Sequence, residues 1–280
     1  MNSTIIKTIN IRGKLVSLER PLVMGILNIT PDSFYESSRC IDAEKALERA
    51  QQIIDEGGDI IDVGAYSSRP GAEDVSEDEE IARLRSVLPL IREQFPNAII
   101  SVDTFRSGVA RYVVEECGAD IINDIMGGEG DEDMFSTIAQ LKVPYVLMHM
   151  RGTPQTMQNN TDYDNVLVEM IAYFSEKIEK LRLLGVNDVV LDPGFGFAKS
   201  LEQNYNIMKN LTDIAQFNLP LLVGISRKSM IYRPLNISPD ESLTGTIALN
   251  TIALAKGADI LRVHDVKECV ETIKIFELSK

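Results

Sequence analysis

Eight short apolar runs, separated mostly by longer segments of helical period, constrain this chain more than any other feature. The runs cover residues 22–27, 59–63, 98–102, 120–122, 144–148, 188–191, 219–223 and 259–261. They are continuously apolar rather than alternating, the pattern of parallel strands covered on both faces. Between them, stretches such as 44–56, 77–93 and 163–184 repeat their apolar residues at helical spacing.

Eight βα units in 280 residues predict a (β/α)8 TIM barrel, an architecture that typically needs ~250 residues. An open doubly wound sheet usually carries fewer strands, and no G-x-G-x-x-G follows the first run. Before the barrel, two extended runs flank the turn Arg12-Gly13-Lys14 and predict an N-terminal β-hairpin able to plug one end. No linker or low-complexity segment divides the chain, so residues 1–280 are expected to form a single domain.

A weak repeat supports the barrel. Gly58-Asp59-Ile60-Ile61-Asp62 resembles Gly118-Ala119-Asp120-Ile121-Ile122-Asn123 and Gly257-Ala258-Asp259-Ile260-Leu261-Arg262, and the stretch 185–192 is a longer version. In each copy a glycine suited to the left-handed turn ends a helix, a strand follows, and a polar residue closes it. The copies fall on the second, fourth, sixth and eighth runs, as alternating barrel layers require.

A net charge of −14 argues against a nucleic-acid backbone as ligand but leaves room for a small anion held by a few local cations. No apolar stretch approaches the ~20 residues of a membrane helix, and no signal-peptide core follows the start, so neither a membrane nor an export route is expected. Cys40, Cys117 and Cys269 are too few and too scattered for a disulfide framework or a zinc site, which fits a reducing cytoplasm.

A barrel carries its active site at the carboxyl ends of its strands. Here those ends bear Asn28, Asp62, Asp103, Asn123, His149, Asp192, Ser226-Arg227-Lys228, Arg262 and His264. One or two such residues could be helix caps. A whole ring of them points to a polar ligand. Asp103, Asn123 and Asp192 offer two carboxylates and an amide, a set suited to a flat heterocycle with an amino-pyrimidinone edge. Arg262 and His264, two apart on a strand, leave it on the same side. With Arg69, Arg227 and Lys228 they could receive a phosphate or diphosphate; a buried ion-pair network with the aspartates is the other use of such cations. His149 reads equally as a packed core histidine. Two loops rich in hydroxyls, proline and glycine, 28–34 and 67–71, suit an anion lid.

Six motifs in order resemble those of the dihydropteroate synthases: Met24-Gly25-Ile26-Leu27-Asn28-Ile29-Thr30-Pro31-Asp32-Ser33-Phe34, Ser101-Val102-Asp103-Thr104, Ile121-Ile122-Asn123-Asp124-Ile125, Asp192-Pro193-Gly194-Phe195-Gly196-Phe197, Ser226-Arg227-Lys228-Ser229 and Arg262-Val263-His264-Asp265. The resemblance spans nearly all of the chain from Pro21 onward. It implies a transferase of folate biosynthesis that joins (7,8-dihydropterin-6-yl)methyl diphosphate to 4-aminobenzoate, releasing diphosphate and 7,8-dihydropteroate. It also implies a homodimer. By the same resemblance, Asp103, Asn123, Asp192 and Lys228 would hold the pterin, with Ile125, Met148 and Phe197 as apolar neighbours. Asn28 would meet a magnesium ion, and Arg262 and His264 the diphosphate. Phe34, Ser67, Ser68, Arg69 and Pro70 would shape the aminobenzoate side, where sulfonamides compete in the family. Asp103, Asp192 and Lys228 are the expected catalytic residues.

The chain departs from the family pattern twice. Ala65-Tyr66-Ser67-Ser68 stands where Gly-Glu-Ser-Thr is usual, so the glutamate is missing and Ser68 keeps only the hydroxyl of the threonine. Tyr35-Glu36-Ser37-Ser38 replaces a glycine pair after Phe34. Rival readings are a pterin-dependent methyltransferase, which would not need the Arg69 loop, a silent pterin-binding protein, and an aldolase using Lys228 as a Schiff base.

Overall fold

A computed structural model describes residues 6–29, 36–66 and 75–280, with the main chain alone for 36–42. The strands are β1 (Thr8–Ile11), β2 (Lys14–Ser17), β3 (Leu22–Asn28), β4 (Ile60–Gly64), β5 (Ile99–Asp103), β6 (Ile121–Asp124), β7 (Tyr145–Met148), β8 (Val189–Asp192), β9 (Leu222–Val223) and β10 (Ile260–Val263). The helices are α1 (Glu36–Asp55), α2 (Glu77–Gln94), α3 (Ser107–Glu115), α4 (Met134–Leu141), α5 (Val166–Leu183), α6 (Leu201–Lys209), α7 (Leu211–Ala215), α8 (Ser229–Leu235), α9 (Leu243–Ala255) and α10 (Val266–Leu278).

Strands β3 to β10 form one parallel sheet in the order β8-β7-β6-β5-β4-β3-β10-β9. A parallel bridge between Leu191 and Leu221 joins β8 to the start of β9 and closes the barrel. All eight predicted runs are therefore barrel strands. The seventh is the shortest: Pro220 lacks the N–H a ladder needs and instead accepts from Leu191 N at 2.8 Å. The outward strand residues and inner helix faces make the main core, with Val23, Ile61, Val102, Leu147 and Leu191 buried against Leu84, Ile91, Phe174 and Ile273.

The N-terminal hairpin is the predicted plug. β1 and β2 pair antiparallel, Ile9 opposite Val16. Ile9, Ile11 and Leu18 pack with Leu22, Met24, Ile60, Ile121, Val146, Val190, Leu222 and Ile260, the inward side chains at the amino-terminal end of the barrel.

The repeat turns out to serve this end. Its aspartates sit at the strand starts, and each accepts a main-chain N–H. Asp59 takes Val23 N at 2.8 Å, Asp120 takes Ile100 N at 2.9 Å, and Asp259 takes Leu221 N at 2.8 Å. Asp188 reaches the plug itself and takes Asn10 N at 3.0 Å. Cations of the first twenty residues complete the seal: Lys7 with Asp259 at 2.7 Å, Arg12 with Asp120 at 2.9 Å, and Arg20 with Asp59. In the first copy the left-handed residue is Gly57, at φ 89°, and not Gly58. Gly58 is held small by contact instead, since a Cβ there would lie 2.7 Å from Ile53 Cγ2.

Candidate active site

Register brings the polar side chains together at the opposite end. Gly64 of β4 pairs with Asp103 of β5, Asp103 with Asn123 of β6, and Met148 of β7 with Asp192 of β8. One layer deeper, Asp62 pairs with Ser101. Asp62 is the hub of this layer and is fully buried. It accepts from Ser101 Oγ at 2.6 Å, from Arg262 Nε at 2.6 Å and, more weakly, from Asn123 Nδ2 at 3.3 Å. Arg262 also donates through Nη2 to Asp103 at 3.2 Å. The expected cation is thus engaged with two aspartates. The Asp62 bond is short and buried, whereas the longer Asp103 bond is one for which a ligand oxygen would compete.

Asp192 ends β8 and takes Gly194 N at 2.7 Å. Lys228 comes from the loop after β9. Arg227 before it is left-handed at φ 57°, a costly conformation for an arginine. A fork from Arg227 to Asp265, at 2.6 and 3.1 Å, holds it there, with Asp240 at 2.9 Å. That turn sends the Lys228 ammonium inward, to Phe195 O at 2.6 Å and to 4.6 Å from the Phe197 ring centre. Arg227, counted from sequence among the anion-binding cations, is instead part of a structural ion pair.

The environment sets the charges. Burial pushes the Asp103 carboxyl up to about 7, against the pull of Arg262 and with the push of Asp62. Burial also raises Asp192, opposed by Lys228 and by the N–H of Gly194. Lys228 is drawn down to about 8 by burial, with Asp192 resisting. His264 is lowered to about 4 by burial and by Arg262 and Arg227, so at neutral pH it is an uncharged imidazole, its Nδ1 3.1 Å from Ser226 Oγ. In the ligand-free site it is therefore a hydrogen-bonding group rather than a cation.

Ile125, Met148 and Phe197 gather in one apolar cluster, with Met126, Met150, Met157, Ala198 and Phe105 joining them. His149 is not part of the site. It is buried against Tyr173 at 4.9 Å between ring centres and is held neutral by burial. Phe34, Ser67, Ser68, Arg69 and Pro70 lie outside the described residues. Tyr66, which replaces the usual glutamate, meets Phe105 edge-on at 5.1 Å, stands 5.5 Å from the Arg106 guanidinium and accepts from Gln155 Nε2 at 2.6 Å. Arg106 also donates to Val75 O at 2.6 Å and pairs with Glu80. One guanidinium therefore touches both residues that flank 67–74.

Asn28 ends β3, with its Oδ1 3.4 Å from where a Cβ on Gly64 would stand, a point also 3.6 Å from Asp103 Cβ. Asn28 and Asp103 thus flank Gly64 at the carboxyl ends of the strands. Among the described residues no group of three or more His, Cys, Asp or Glu could hold a metal. The donor set fits magnesium that arrives with a diphosphate and keeps its waters, and does not fit an all-protein cage.

A closed (β/α)8 barrel with these carboxylates, amide and ammonium at its strand ends beside an apolar cluster is the frame of a pterin-binding barrel enzyme, and residues 24–264 match the family described as Pterin binding enzyme. The dihydropteroate synthase of Escherichia coli (strain K12) is 44% identical over 270 residues, 96% of this chain and 95% of that protein. A Yersinia pestis dihydropteroate synthase solved with a sulfonamide drug complex superposes with a TM-score of 0.90 at 40% identity, covering 97% of this chain and 98% of that one. The Xanthomonas albilineans enzyme with 4-aminobenzoic acid gives 0.89 at 33% identity, covering 98% of each chain. The chain belongs to the dihydropteroate synthase family.

Proposed function

We infer that this chain condenses (7,8-dihydropterin-6-yl)methyl diphosphate with 4-aminobenzoate to give 7,8-dihydropteroate and diphosphate. The observation that carries the reading is the convergence of Asp103, Asn123, Asp192, Lys228 and Arg262 beside Ile125, Met148 and Phe197, in a chain similar to dihydropteroate synthases over nearly its whole length.

A flat, polar-edged ring suits this pocket. Its faces would lie against Met148, Ile125 and Phe197, and its N–H edge would meet Asp103 and Asp192. Asn123 would both donate and accept. Lys228 would donate to a ring acceptor, its ammonium already aimed by Phe195 O. The diphosphate would meet Arg262, which Asp62 holds from behind, and the neutral His264. Asn28 would hold magnesium; the ion would neutralise charge growing on the departing diphosphate. Buried carboxylates beside the pterin favour positive charge on its ring as the bond to diphosphate breaks.

Phe34, Ser67, Ser68, Arg69 and Pro70 belong to the aminobenzoate side of this proposal, where sulfonamides would compete. A homodimer and a cytoplasmic location belong to it as well. No described helix is long and apolar enough to cross a membrane. The deciding assay follows diphosphate release with each substrate alone and with both. Release that needs both supports the synthase. Release indifferent to 4-aminobenzoate, or methyl transfer from a pterin, would overturn it.

A further inference from the structure

Lys199 follows the Asp192–Phe197 motif and is 5% exposed. Its ammonium donates to His149 O at 3.0 Å, Gly194 O at 3.0 Å and Phe197 O at 2.9 Å. An ammonium has three donors, and here all three end on main-chain carbonyls. Among the described residues Lys199 forms no ion pair. A buried, unpaired charge is expensive, and an apolar side chain of the same length would avoid the cost.

The three carbonyls show what the charge accomplishes. His149 directly follows Met148 at the end of β7, while Gly194 and Phe197 belong to the loop after β8. Lys199 therefore ties together two neighbouring strand ends that both face the pocket. The approach is close: Gly194 is left-handed at φ 65°, and a Cβ on it would lie 2.2 Å from His149 O. The same Gly194 gives its N–H to Asp192 Oδ1 at 2.7 Å, so the unit pinned by Lys199 aims the Asp192 carboxylate. Phe197, whose carbonyl Lys199 holds, turns its ring toward the Lys228 ammonium. Lys228 binds this loop at Phe195 O from the pocket side, and Lys199 binds it through Gly194 and Phe197. Attraction to Asp192 opposes the burial that draws Lys199 down to about 7.

We propose that Lys199 is a positioning residue for the pterin pocket, fixing the Asp192 carboxylate and the Phe197 ring through three main-chain carbonyls without touching substrate. The identity of the ligand rests on the function proposed above. The experiment measures binding of the pterin diphosphate by calorimetry, both KM values, and the melting temperature of Lys199→Met. Wild type is titrated first; failure of wild type to bind the pterin would sink the functional reading and not the role of Lys199.

With binding established, folded Lys199→Met is expected to weaken pterin binding and raise the pterin KM at least 10-fold. The KM for 4-aminobenzoate, measured at saturating pterin, should change less than threefold. Unchanged pterin binding in the folded variant, or equal rises in both KM values, overturns the proposal. Lys199→Ala supplies the second test, because n-propylammonium replaces the missing atoms. Recovery of pterin binding with n-propylammonium but not with n-propanol supports the role of the charge. Recovery with both or with neither overturns it.

Discussion

Arg262 and Asp62, 200 residues apart in the chain, meet across the inside of the barrel with Nε to Oδ2 at 2.6 Å. The pair fixes one edge of the guanidinium from below, while Asp103 meets another edge at 3.2 Å. Arg262 is the cation expected to face the diphosphate, so Asp62 would act on that substrate through it. Asp62→Asn keeps the shape and removes the charge. Losing a charge-assisted hydrogen bond costs about 1.5–3 kcal/mol, so kcat/KM for the pterin diphosphate should fall roughly 10- to 100-fold. The KM for 4-aminobenzoate should move little. Steady-state kinetics with each substrate varied in turn is the check, and a loss under threefold would separate Asp62 from the reaction.

Asp103 and Lys228 give the pH dependence. Asp103, raised to about 7, must be ionised to stabilise a positive pterin, and Lys228, lowered to about 8, must keep its proton to donate. The profile of kcat/KM should climb toward pH 7 and decline above pH 8. Stability runs the other way for the carboxyl. Its folded form binds the proton more tightly than the unfolded chain, so stability is lost as pH rises from the ordinary carboxylate range through 7. Asp103→Asn should therefore flatten the acid limb. It should also melt a few degrees above wild type at pH 8, with no gain at pH 4. A melting gain independent of pH would contradict the assignment.

The sealed end of the barrel makes a separate prediction. Asp120 is buried and holds Arg92 at 2.7 Å, Arg12 at 2.9 Å and Ile100 N at 2.9 Å. Asp120→Asn keeps at most part of this set. It should destabilise the fold by about 1–3 kcal/mol, the range for a buried group left without its partners. Both KM values should stay as they were, because the site lies at the other end. Denaturant unfolding together with kinetics checks it, and a raised KM with unchanged stability would refute it.

Much of this was legible in the chain, and the physical reasons are specific. The strands could be read because the apolar runs are too short for helices and alternate with segments of helical period; proline at 220 leaves the seventh with only two strand residues. Asp103, Asn123, Asp192 and Arg262 could be read because each lies at or near the carboxyl end of a strand. The part played by Asp62 could not, since it depends on the register of β4 with β5 and on the reach of Arg262 across the barrel. Lys199 left no side-chain pattern to find, because its partners are carbonyls. The neutral state of His264 depends on burial, and the commitment of Arg227 on a left-handed turn. Met126, Met150 and Met157 lie in the connections after β6 and β7, and only the folded chain gathers them with Ile125, Met148 and Phe197.

Asn28 tests the metal. It presents a single neutral oxygen beside Asp103, so its grip on magnesium should depend on the diphosphate. Asn28→Ala should weaken binding of the pterin diphosphate in magnesium more than in its absence, and leave binding of a pterin without the diphosphate unchanged. Calorimetric titrations with and without magnesium provide the readout. Equal losses in both conditions would remove Asn28 from the metal.

The charge pattern finally predicts the order of bond changes. The nitrogen of 4-aminobenzoate is a weak nucleophile, because its lone pair is delocalised into the ring. In the proposed pterin orientation, Asp103 and Asp192 would stand where positive charge spreads if the bond to diphosphate broke first. In the same orientation Arg262 and the His264 hydrogen bond would stand where negative charge collects. Each interaction strengthens toward that transition state, which is what accelerates a reaction. Substrate carrying oxygen-18 in the bridging position, incubated with enzyme and no aminobenzoate, should scramble label into non-bridging positions as the bond breaks and reforms. Asp103→Asn should slow the scrambling along with turnover. The rate with substituted anilines should depend only weakly on their basicity. Absence of scrambling together with a steep dependence on basicity would instead establish direct displacement, with the carboxylates serving only to hold the pterin.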